Sequence, residues 1–167
     1  MASCSSSSNS SLRVEEKYEV FLSFTGSEDS CINFTSHLYT VLSQKQLKTF
    51  MADSLNRGDE LWLAVTEVIE ESKLALIIFS KDYAPSSLCL DLLVKILDCK
   101  RGKGLIVLPV FNHVDPLDVG KLSGDFGEAI FNLEEQFKEE MNRVYGWRAA
   151  LEKVAYLSGW VFLATRQ

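Results

Sequence analysis

The sequence predicts an α/β domain of the doubly wound, flavodoxin-like type, a five-stranded parallel sheet with helices on both faces. Short apolar runs of strand length recur along the chain, at residues 18–24, 47–50, 74–79, 105–111 and 160–163, and most are rich in β-branched or aromatic side chains. Their apolarity is nearly continuous, with little alternation, as expected of a strand covered by helices on both sides. Between the runs, apolar residues recur at helical spacing. Strand and helix thus alternate five times, and right-handed crossovers leave a doubly wound sheet as the simplest topology.

A chain of 167 residues is about one domain long and can bury about 70% of the surface its unfolded form exposes. Residues 1–16 stand apart from that domain. Positions 3–12 are serine apart from Cys4, Asn9 and Leu12, too polar to repay the entropy of ordering, so 1–16 reads as a flexible tail and 17–167 as the domain. The first strand leads into a helical stripe of Ile32, Phe34, Thr35, Leu38, Tyr39 and Leu42. After the weaker second run, Arg57-Gly58-Asp59-Glu60 is a polar turn opening a helix whose stripe is Leu61, Ala64, Val65, Val68 and Ile69, with acidic residues at its positive end. The third run precedes residues 88–100, apolar on most sides, so this helix is either well buried or carries an exposed greasy face. Gly102-Lys103-Gly104 reads as the stop of that helix. In the fourth run Pro109 cannot donate to a ladder, so the strand is expected to fray or end there. Asp115-Pro116 then reads as a turn or helix start. Trp147, Leu151, Val154 and Ala155 form the last helical stripe before the fifth run.

Several functions are disfavoured by composition. A net charge of −6 opposes nonspecific binding of nucleic acid, whose affinity comes mostly from phosphate neutralisation. No apolar run approaches the roughly 20 residues of a membrane span, and the N-terminus lacks the blocks of a signal peptide; a protein of the cytosol or nucleus is expected. Ala2 excludes N-myristoylation, and Cys4 alone in a serine tail is a weak acylation signal. The four cysteines, Cys4, Cys31, Cys89 and Cys99, and the two histidines, His37 and His113, show no metal-ligand spacing, so neither disulfides nor a metal are expected. Nucleotide fingerprints are missing as well: the loop Phe24-Thr25-Gly26-Ser27-Glu28-Asp29 holds one glycine, and a turn with an acidic cap explains it better than a phosphate cradle.

Seven blocks in order change this picture. Tyr18-Glu19-Val20-Phe21-Leu22-Ser23-Phe24, Phe34-Thr35-Ser36-His37-Leu38-Tyr39, Arg57-Gly58-Asp59-Glu60, Ile69-Glu70-Glu71-Ser72, Phe79-Ser80-Lys81-Asp82-Tyr83-Ala84, Cys89-Leu90-Asp91, and Leu108-Pro109-Val110-Phe111 with Val114-Asp115-Pro116 resemble the plant TIR domain from about residue 17 to 160. The resemblance implies an intracellular immune-signalling module that acts when several copies come together. It also implies a fold of five parallel strands, and, in active members, cleavage of NAD between nicotinamide and ribose by a glutamate in a block like W-C-L-D-E-L. Here that block reads Leu88-Cys89-Leu90-Asp91-Leu92-Leu93, and the glutamate position is Leu92.

Cleavage of an N-glycosidic bond builds positive charge on the ribose, which a carboxylate stabilises and a leucine does not. Asp91 is a poor replacement, because neighbours on a helix point about 100° apart. The resemblance places the remnant of the nucleotide pocket at Phe24, Thr25, Gly26, Arg57, Gly58, Leu88, Cys89 and Leu92, without the loop arginines or the aromatic before Cys89; Asn112 and Gly120 depart from a tyrosine and an arginine of the family pattern. No catalytic residue and no required cofactor are expected, with NAD at most a weak ligand. Ser36 and His37 match the family's helix-to-helix contact, so other TIR domains, in weak homo- or hetero-oligomers, are the expected partners. The competing expectation is an NAD glycohydrolase that uses another carboxylate. Leu88, Leu92 and Ile96 form a stripe at i, i+4 and i+8, a partner surface if exposed and a filler of the vacated pocket if buried.

Overall fold

The computed structural model describes residues 17–25, 29–53 and 59–162. The tail expected at 1–16 and the pocket residues Gly26, Arg57 and Gly58 lie outside the described residues. Five strands, β1 (Val20–Phe24), β2 (Thr49–Asp53), β3 (Leu74–Phe79), β4 (Ile106–Asn112) and β5 (Trp160–Phe162), form one parallel sheet in the order β2-β1-β3-β4-β5. Six helices connect them: α1 (Asp29–Gln44), α2 (Asp59–Glu71), α3 (Ser87–Lys103), α4 (Pro116–Lys121), α5 (Gly124–Gln136) and α6 (Met141–Ala155).

Each helix packs along the stripe its sequence provides. Phe34, Leu38 and Leu42 of α1 cover one sheet face, made of Val20, Leu22, Phe24, Leu76, Ile78 and Val110. The alternate residues of the same strands, Phe21, Ala75, Ile77, Phe79, Val107 and Phe111, meet the larger core built by α2, α3, α5 and α6. Phe79 anchors it, with its ring stacked on Phe111 at 5.3 Å and tilted against Tyr83 at 4.7 Å. Helix ends follow local chemistry. Ser86 accepts a hydrogen bond from the Cys89 amide to start α3, and Gly104, at φ 73°, ends it in the left-handed conformation as the stop predicts. Asp115 accepts from the Leu117 amide at 2.9 Å, with Pro116 in the first turn of α4.

Two expectations fail. The fourth strand neither frays nor ends at Pro109: β4 runs through it, with Pro109 opposite Ile77 and pairing to β3 continuing to Phe111. Only one donor is lost, and β5 joins the other edge only from Val110 onward. There the Gly159 backbone comes so close that a Cβ would stand 2.0 Å from the Pro109 carbonyl oxygen. Second, the alternation is not one helix per connection: the β4–β5 connection alone carries α4, α5 and α6, and a helix following β5 would lie outside the described residues. Leu122 at φ 53° and Gly124 at φ 62° close α4 after one turn and a half and redirect the chain into α5. Helices lie on both faces, as expected; among the described residues α1 is the helix on the Val110 side, where Ile106 (57%) and Trp160 (55%) are exposed. The remaining boundaries shift by at most three residues. Cys89 and Cys99 are free and buried, and no metal-binding cluster is found among the described residues.

Candidate functional site

In an order of β2-β1-β3-β4-β5 the chain reverses direction across the sheet between β1 and β3, and ligands of such folds sit at the carboxyl ends of these strands. Phe24 and Thr25 stand there at the end of β1, both buried, and Ser80 at the end of β3, buried with no hydrogen-bond partner for its hydroxyl. Tyr83 brings the first turn of α3 to this edge. It is fully buried; its hydroxyl donates to the Cys89 carbonyl at 3.1 Å and lies 3.5 Å from Ser23 Oγ. Burial holds its pKa well above that of an ordinary phenol, with the neighbouring Cys89 acting in the same direction, so it works as a neutral donor.

Of the expected pocket residues, Phe24, Thr25, Leu88, Cys89 and Leu92 are described. Leu92 is 2% exposed and belongs to the main core, Ile96 is fully buried and Leu88 half-buried. The leucine stripe is therefore interior and offers no partner surface. Ser36 and His37 are exposed on α1. Because α1 packs on one face of the sheet and α3 on the other, the expected contact pair lies on the opposite side from Leu88, Cys89 and Leu92, while Phe24 belongs to the α1 side.

Asp91 has a different task from its neighbour. Its carboxylate accepts from Arg143 Nε at 3.0 Å, from Arg143 Nη2, and from Trp147 Nε1 at 2.8 Å. The Arg143 guanidinium in turn lies over the rings of Phe137 and Trp147, at 4.7 and 5.3 Å. Hydrogen bonding to Asp91 raises the Arg143 pKa further above the neutral range. The cluster clamps α3 to α6 and leaves Asp91 no oxygen aimed at a ligand. Glu134, the other well-buried carboxylate, is held by Arg148 in a two-pronged pair between α5 and α6.

Sequence reasoning missed Tyr83 and the clamp. A tyrosine just past an apolar strand is a readable signal, since a buried phenol needs a partner. Arg143 and Asp91, 52 residues apart, carry no local signal of their pairing.

Three comparisons bear on this architecture. The family model described as TIR domain matches residues 17–167. The chain is 46% identical over 162 residues to the disease resistance protein RPV1 of Vitis rotundifolia, covering 97% of this chain and 11% of that protein. It is 42% identical to the TMV resistance protein N of Nicotiana glutinosa, covering 95% of this chain and 13% of the relative. The chain thus spans little more than a tenth of the length of these two relatives. Among solved structures, the TIR domains of the activated Roq1 resistosome, which directly recognises the pathogen effector XopQ, superpose with a TM-score of 0.76 at 40% identity, over 87% of each chain. Strand order, the Cys89-Leu90-Asp91 turn at the sheet's carboxyl edge and the family match agree, and the chain belongs to the TIR domain family.

Proposed function

We propose that this TIR domain is an association module of plant innate immune signalling, acting through contacts with copies of itself or with other TIR domains and lacking NAD hydrolase activity. The observation that carries the reading is Leu92: a hydrocarbon side chain, 2% exposed, stands in the core where the family resemblance implies the catalytic carboxylate. Loss of such a group costs roughly 10²- to 10⁴-fold in rate. Two well-buried carboxylates among the described residues are committed elsewhere, Asp91 to Arg143 and Trp147 and Glu134 to Arg148. What supports association is the exposed Ser36-His37 pair on α1, together with a relative whose TIR domains are part of an activated resistosome. Domain copies meeting in the cytosol, with NAD at most a weak ligand, complete the reading.

The test is nicotinamide release from NAD by concentrated protein, for the wild type and Leu92→Glu. No release by the wild type is expected, and turnover gained by the variant would support the lost-carboxylate account. Steady release by the wild type would overturn it in favour of an NAD glycohydrolase. Calorimetry with NAD is expected to give no more than weak heat.

A further inference from the structure

We infer that the outer groove between α3 and α6 receives the acidic face of α2 from a second copy of this chain. The inference rests on the association reading above and names a surface for it. Three adjoining cavities, of about 360, 140 and 540 Å³, run along the seam of the two helices. They are continuous: Val94, Asp98 and Gly146 line the first and second, and Leu97, Asp98 and Lys153 the second and third. Gly146 keeps the floor low, since a Cβ there would meet only Val94 Cγ2, at 3.8 Å. A long apolar trough between two helices is the shape that accepts a third helix.

Charge narrows the occupant to an acidic helix face. The chain carries −6 overall, yet Lys100, Arg101 and Lys153 gather at the widest cavity, opposed only by Asp98, which already pairs with Arg101 at 3.1 Å. The occupant is therefore acidic with an apolar tooth. Helix α2 offers this: Leu63, exposed at 63%, is followed at i+4 and i+8 by the exposed Glu67 and Glu71. Those three side chains span about 12 Å, within the roughly 17 Å that α6 provides between Asn142 and Lys153. In its own copy α2 packs beside α3, where Glu70 bonds Lys95 at 2.7 Å, so its outer face reaches the groove of another molecule only. The contact is heterologous, groove of one copy to helix of the next.

The experiment measures mass against concentration by light scattering for the full chain, for Lys100→Glu/Lys153→Glu, for Glu67→Lys/Glu71→Lys, and for an equimolar mixture of the two variants. All four positions are exposed, and the thermal midpoint reports whether fold is retained. Each variant alone is expected to associate about tenfold more weakly than the wild type. The mixture is expected to recover, because each variant supplies the complement the other lacks. Wild-type association that persists unchanged in both variants, or a mixture that stays as weak as its components, overturns the groove and leaves the association reading standing. A wild type whose mass never rises overturns that reading as well.

Discussion

Asp91 stands one position before Leu92 on α3, and its environment gives this carboxylate a structural task. Both oxygens are occupied by Arg143 and Trp147, so the group is a fastener between helices. Asp91→Ala leaves a desolvated guanidinium and a buried indole N–H without acceptors. We expect a loss of about 3 kcal/mol, roughly 6–12 °C in thermal midpoint for a domain of this size. Thermal denaturation followed by circular dichroism checks this, and a midpoint within 2 °C of the wild type would mean that the clamp does not hold α3 to α6. At the same scale, the place of Leu92 next to the Cys89-Leu90-Asp91 block was legible from sequence. That Leu92 would sit in the core was not, since burial of a helix apolar on most sides depends on which elements surround it. Lys95 and Lys103 hold the Glu70 carboxyl below its ordinary pKa, the hydrogen bond from Lys95 being the largest cause. A lowered folded-state pKa means that this contribution is present above the unfolded carboxylate pKa and is lost as the pH falls through the folded one. Glu70→Gln is thus expected to narrow the stability gap to wild type as acid is added, measured as thermal midpoints from neutral pH down to the acid side.

The elements themselves were mostly readable, because apolar runs and stripes specify them locally. The failures share a cause: each depended on a partner distant in sequence. Pro109 is tolerated because of where β5 begins to pair, and α5 is held by a turn that sequence spacing does not describe. That turn makes a sharp prediction. Leu122, left-handed at φ 53°, directs its carbonyl at Gly127, where an added Cβ would stand 2.0 Å from the oxygen. Gly127→Ala must displace backbone and is expected to cost about 3 kcal/mol or more. Gly102 in the last turn of α3 has no atom within 4 Å of such a Cβ. Gly102→Ala is therefore expected to stabilise by about 0.5–1 kcal/mol through helix propensity. Urea denaturation of the two variants side by side tests whether close approach, and not glycine content, sets the difference.

On the scale of the whole molecule, the sheet separates two surfaces. Ser36 and His37 lie on α1, on one side, and the α3–α6 groove belongs to the layer on the other. The first of these is marked by a family motif in the sequence; the second arises only when helices separated by residues 104–140 are packed together. The symmetry of the two contacts differs, and with it the growth each permits. A helix-to-helix contact through the same α1 patch of both copies is isologous and closes at a dimer, whereas a groove filled by α2 of the next copy is heterologous and does not close by itself. His37→Ala, which removes the imidazole from an exposed position, should leave the fold intact and the heterologous contact available. Its mass should continue to climb with concentration, though from a lower start than the wild type. Lys100→Glu/Lys153→Glu weakens the open-ended contact about tenfold and leaves the closed one, so its mass should level off near twice that of a single chain at concentrations where the wild type still climbs. Combining all three changes should leave mostly single chains over that concentration range, since sites this far apart act nearly additively. Sedimentation equilibrium distinguishes these three curves, and a plateau at the dimer for His37→Ala would reverse the assignment of which surface closes and which propagates.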